Sequence, residues 1–138
     1  MNTSKGFSLI EALIATVILG VLLVAVLGPI GNLFRMSKSN QQLLDNTTLA
    51  QQTVESVLNA WKDPVRFEQA CLDLTAEPLP DGVTVTVQPL DDVASPTAPA
   101  AALANCPAAA HPAPLKRVRV TASAGGPQAV VVVDVRAP

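Results

Sequence analysis

Glu11 is the sole charged side chain between Lys5 and Arg35, and the run that follows it, Ala12 to Phe34, is uncharged. Near the centre of a bilayer an acidic side chain costs about 2.5–3.5 kcal/mol, so a plain membrane anchor gains nothing from it. Either something uses the carboxylate, or it is a chance acid at the interface of a plain anchor. Little else in the chain reacts. There is no G-x-S-x-G, H-E-x-x-H, P-loop or dinucleotide-binding fingerprint. His111, the only histidine, lies in a Pro-rich stretch without the partners that a triad or metal site needs. Asp91-Asp92 suggests calcium, but such a site needs about six to eight oxygens and no further acids cluster there. A solvated acidic turn is the expectation. Lys116, Arg117 and Arg119 form the only basic cluster. Arg117 and Arg119 share one side of a strand and Lys116 takes the other. Without interleaved aromatics they make a weak phosphate site, so the polar face of a strand is the better reading. We therefore expect no catalytic residue, no metal, no cofactor and no direct binding of nucleic acid.

Three kinds of element must position these residues. The apolar run, about 23 residues at 1.5 Å rise, reaches roughly 35 Å, enough to cross a hydrocarbon core of about 30 Å. Beyond it Leu43, Thr47, Ala50, Val54, Val57 or Leu58, and Trp61 recur at steps of three or four, which marks one face of a helix. Gln42, Asn46, Gln52, Glu55, Ser56 and Asn59 are assigned to the opposite side. Asp63-Pro64 should end the helix, because proline biases its predecessor away from helical geometry. One helix over residues 7–61 is expected, its first half (7–34) in a membrane or another apolar surrounding and its second (35–61) packed on a domain. Gly28-Pro29 and Gly31 predict a kink or melted turn within it.

After Trp61 the period becomes two. Val83-Thr84-Val85-Thr86-Val87, Lys116 to Thr121 and Ala129 to Val135 read as strands, with Val118 and Val120 inward and Val131, Val133 and Val135 on one face. Gly125-Gly126-Pro127 reads as the hairpin turn joining the last two. The Ala/Pro-rich stretch 94–114 has no period and reads as a long surface loop. The expected fold class is α+β, a long helix laid on a three- or four-stranded antiparallel sheet, with residues 62–138 as a small β-rich domain.

Lys5-Gly6-Phe7-Ser8-Leu9-Ile10-Glu11, opening directly into the apolar run, resembles the class III signal of type IV prepilins and type II secretion pseudopilins. The resemblance implies a leader of residues 1–6 and a cut by prepilin peptidase between Gly6 and Phe7. It further implies N-methylation of Phe7 and a subunit-assembly role for Glu11, the fifth residue of the mature chain. Its neighbours would be other pilin or pseudopilin subunits, membrane lipid and an inner-membrane assembly platform. A pilin-like layout of long helix and small sheet is implied as well. Leu49-Ala50-Gln51-Gln52-x-x-Glu55 looks like the matching helix of the minor pilin V and pseudopilin I group.

Lys5 favours a cytoplasmic N-terminus, but Arg35 and Lys38 follow the run on its other side, so charge alone orients it weakly. The resemblance supplies the direction: a single pass through the inner membrane, the domain outside the cytoplasm, then a periplasmic or cell-surface filament. Cys71 and Cys106 agree with an outside location. They are too far apart for a C-x-x-C motif, and a structural disulfide would staple a thin core; two free buried thiols are the alternative. Two other classes stay open. One is an unprocessed single-pass anchored binding module, and the other is a small β domain released by general signal peptidase near Ala25 or Gly28.

Overall fold

The computed structural model describes residues 8–138. The Gly6-Phe7 junction lies outside them. Helix α1 runs Leu9–Ala60, and the helical assignment passes through Gly28 and Pro29 without interruption. The melted turn expected there is not present: Pro29 withholds one donor, but the turns on either side hold.

The chain divides into two compact units, Met1–Lys38 and Ser39–Pro138. In the first, every described residue from Ser8 to Lys38 is exposed. In the second, the later part of α1 buries Asn46, Ala50, Thr53, Val54 and Val57. That stripe matches the expected one from Ala50 onward and departs from it above. Asn46, assigned to the polar side, is buried, while Leu43 is exposed. At about 100° per residue, Asn46 and Thr53 stand roughly 60–80° to one side of the line from Leu43 to Trp61, so the buried stripe is rotated toward them and away from Leu43.

Asp63-Pro64 does more than end α1. Asp63 Oδ1 accepts a hydrogen bond from the Val65 N–H at 3.0 Å and caps a short helix α2 (Pro64–Gln69), with proline in its first turn. Phe67 of α2 meets Trp61 edge to face, ring centroids 5.6 Å apart. The Trp61 indole N–H donates to the Cys71 carbonyl at 3.1 Å.

Six strands follow: β1 (Cys71–Leu72), β2 (Val83–Leu90), β3 (Ala101–Ala102), β4 (Ala104–Asn105), β5 (Leu115–Ala122) and β6 (Ala129–Arg136). The main sheet has the order β3-β2-β5-β6, all neighbours antiparallel, and β1 pairs with β4 in parallel. Val83, Val85, Val87, Val118, Val120 and Ala122 turn one face of this sheet onto Ala50, Val54, Val57 and Trp61. The architecture is the expected α+β, a helix packed on a four-stranded antiparallel sheet.

The stretch expected to be one surface loop is held at several points. Thr97 donates its N–H and hydroxyl to the Pro89 carbonyl, β3 adds to β2, and β4 adds to β1. A disulfide joins Cys71 to Cys106, 35 residues apart, with Cα atoms 5.2 Å apart.

Candidate functional site

Glu11 stands in the first turn of α1. Its N–H and that of Ala12 donate to the Ser8 carbonyl at 3.0 and 3.2 Å, which starts the helix directly ahead of the apolar run. The carboxylate is exposed, and no ion pair involves it among the described residues. Around and beyond it Leu9, Ile10, Ile14, Ile18, Leu19, Leu22 and Leu23 are all exposed, distributed round the whole helix. Thr16 returns its hydroxyl to the Leu13 carbonyl at 2.8 Å, so even this polar side chain asks nothing of water. A helix apolar on every side belongs in a membrane or a protein core. This one is long and apolar enough to cross a membrane. Gly6 and Phe7, the other residues of the expected site, lie outside the described residues.

The remaining candidates do not converge with Glu11 or with one another. Asp91 Oδ1 accepts from the Val93 and Ser95 N–H groups at 3.0 and 2.7 Å, which makes it a turn-forming carboxylate. His111 is exposed, and its backbone N–H donates to the Glu68 carbonyl at 2.8 Å. Arg117 grips Asp134 across the strand pair with two hydrogen bonds of 2.7 and 2.8 Å. That hydrogen-bonded pairing holds the Asp134 carboxyl below its usual range.

Lys116 is the surprise. Strand parity sets it on the side of Val118 and Val120, and there its side chain is 0% exposed. It does not belong to the polar face on which the basic cluster was placed. Its ammonium donates to the Phe67 and Glu68 carbonyls at the end of α2, and sits 4.6 Å from the Phe67 ring centroid and 5.9 Å from that of Trp61. Helix-end carbonyls and ring faces are partners that suit a cation. Burial still pushes the Lys116 ammonium down to about 8, with Glu68 pulling the other way. Its outer neighbours are small. A cleft of about 240 Å³ beside it is lined mainly by Ala98, Ala101, Ala102 and Ala108, with His111 at one side.

Asn46 was the second residue misplaced by sequence reasoning. Its amide donates to the Pro127 carbonyl at 2.8 Å and accepts from the Ala124 N–H at 3.1 Å, fastening α1 to the β5–β6 turn. The turn comes so close that a Cβ on Gly126 would stand 2.5 Å from Gln42 Cβ. The helical spacing was the available clue; the polar side chain masked it.

Residues 1–27 match the family model of the prokaryotic N-terminal methylation motif, which is type IV pilin-like. No curated protein and no solved structure matches the chain.

Proposed function

We propose that this protein is a structural subunit, a minor pilin or pseudopilin, of a type IV pilus-like filament. The observation that carries the reading is a coincidence of place. The methylation motif covers residues 1–27, and α1 over that span exposes an apolar surface broken by one carboxylate. Prepilin peptidase would cut between Gly6 and Phe7, and the new Phe7 amine would be methylated. In the filament, Glu11 of one subunit would meet the Phe7 amine of the next, within a bundle of apolar helices that replaces lipid. The domain would lie outside the cytoplasm, where Cys71 and Cys106 stay oxidised. Whether the filament serves adhesion and motility, DNA uptake or protein secretion turns on partners other than Glu11. Exposed Gln51, Gln52 and Glu55, on the segment that looks like the minor pilin V and pseudopilin I group, face outward where such partners would dock.

Intact mass of the protein purified from its own host tests the reading. The expected mature chain begins at methylated Phe7, and Gly6→Val leaves the full-length precursor in the membrane. A wild-type chain still beginning at Met1 identifies the unprocessed anchored module instead.

A further inference from the structure

The outer edge of β6 is an open sheet edge. No described strand pairs with it. The Ala137 N–H donates to the Pro114 carbonyl, and the antiparallel register of β5 and β6 continues without a bulge. Alternation of ladder bonds then turns the N–H and C=O groups of Val130, Val132, Asp134 and Arg136 away from β5, toward the open edge. The side chains of these residues share the sheet face remote from the core. Val130 and Val132 are 47% and 46% exposed. Edges left open in this way are ordinarily blunted by charged side chains, proline or a bulge. β6 has no proline and no bulge, and its two charges, Asp134 and Arg136, stand in its second half, leaving the Val130 and Val132 end unguarded.

The side-chain row decides what fits. Asp134 is already neutralised by Arg117, whereas Arg136 has no ion-pair partner among the described residues. A second copy fits poorly. In an antiparallel self-pair that keeps both core faces on one side, setting Val130 opposite Val132 leaves Arg136 opposite Gly126, beyond the strand. Setting Asp134 opposite Arg136 leaves Val132 against Pro138. No register satisfies both ends.

We propose that the β6 edge accepts an antiparallel strand from a different polypeptide, one carrying an acid opposite Arg136 and branched apolar residues opposite Val132 and Val130. Backbone hydrogen bonds supply the attachment, and the alternate side chains choose the partner. The inference does not depend on processing at Gly6-Phe7.

The test uses the full chain in detergent micelles. The probe is a synthetic seven-residue peptide reading glutamate, three threonines, valine, threonine, valine. At about millimolar peptide, amide exchange at Val130, Val132 and Asp134 should slow at least tenfold, roughly. Replacing the glutamate by lysine should abolish the effect, and Arg136→Glu should restore it for the lysine peptide. Val132→Pro removes an edge donor and should reduce the slowing to under about twofold, while Val131 and Val133 keep their protection and show the sheet intact. No slowing by the glutamate peptide overturns the proposal. So does slowing indifferent to the charge swap, or protection of these amides that rises with protein concentration without peptide, which would mean self-pairing.

Discussion

Along α1 the same backbone serves two opposite arrangements of side chains. In the first unit Leu13, Val17, Leu27 and Leu33 each keep more than half of their surface open, and no contact within the unit covers them. In the second unit Ala50 and Val57 keep none, because the sheet takes it. Apolar burial is worth about 25 cal/mol per Å², so the second stretch draws its stability from its own chain. The first must draw it from outside, from lipid or from other apolar helices. Polar side chains divide the same way. Glu11 faces outward with no ion-pair partner among the described residues, whereas Asn46 and Lys116 are buried with theirs supplied.

Substitution of Glu11 should break this contrast most completely. Glu11→Val removes an acid from the edge of the span, so membrane insertion and cleavage at Gly6 should survive. Removing one partner of a buried pair costs about 3–5 kcal/mol, enough to disfavour the register. Filaments sheared from the host should therefore lack the variant, and thermal melting of the domain should not change. Normal incorporation would overturn the pairing role.

Loss of the disulfide should act only on the second unit. Closing a loop of this length contributes about 3–4 kcal/mol in the chain-entropy view. The paired substitution of Cys71 and Cys106 by serine should lower the denaturation midpoint accordingly and leave membrane anchoring intact. Alkylation of the native oxidised protein should label neither cysteine.

A smaller effect is expected at Asn46. Asn46→Ala strands the Ala124 N–H and the Pro127 carbonyl, at a cost of about 1–3 kcal/mol. Hydrogen exchange should quicken first in the β5–β6 turn.

The smallest effect sharpens the comparison through pH. Because the folded Lys116 titrates at about 8 and the unfolded side chain near 10.5, the unfolded chain holds more protons between those values. Stability should therefore rise with pH across that window, as the burial penalty on the charged form is relieved. Lys116→Met should flatten this slope. At neutral pH it should be neutral or stabilising by about 1 kcal/mol. The carbonyls it abandons keep other donors, Ala70 N–H on Phe67 and His111 N–H on Glu68. A slope unchanged in the methionine variant would assign it to another group.

The long strands were legible because valine alternates with polar residues over Val83–Gln88 in β2 and over Arg117–Thr121 in β5. The six residues of α2 and the two-residue strands β1, β3 and β4 are too short to show a period. They exist because tertiary contacts, and Cys71 with Cys106, bring their backbones together. Strand parity already turned Lys116 inward, but its acceptors lie on α2, which the sequence hid. Pro29 misled over the melted turn, since a local propensity argument gives no weight to the turns on either side. The proposed assembly site is different. Its motif is local and contiguous, so the match to the methylation motif over residues 1–27 needs no fold to be seen.

The several fastenings of the segment between β2 and β5 have an evolutionary consequence. Anchored at Thr97, β3, β4 and Cys106, the segment is a series of short arcs, each closed independently of the rest. Closure entropy grows only as the logarithm of length, so inserting residues into one arc costs a few tenths of a kcal/mol, roughly, and leaves the other arcs in place. Lineages can therefore lengthen or rewrite the Pro107 to Pro114 arc while Trp61, Phe67 and the sheet beneath stay unchanged. Surface novelty would accumulate there first.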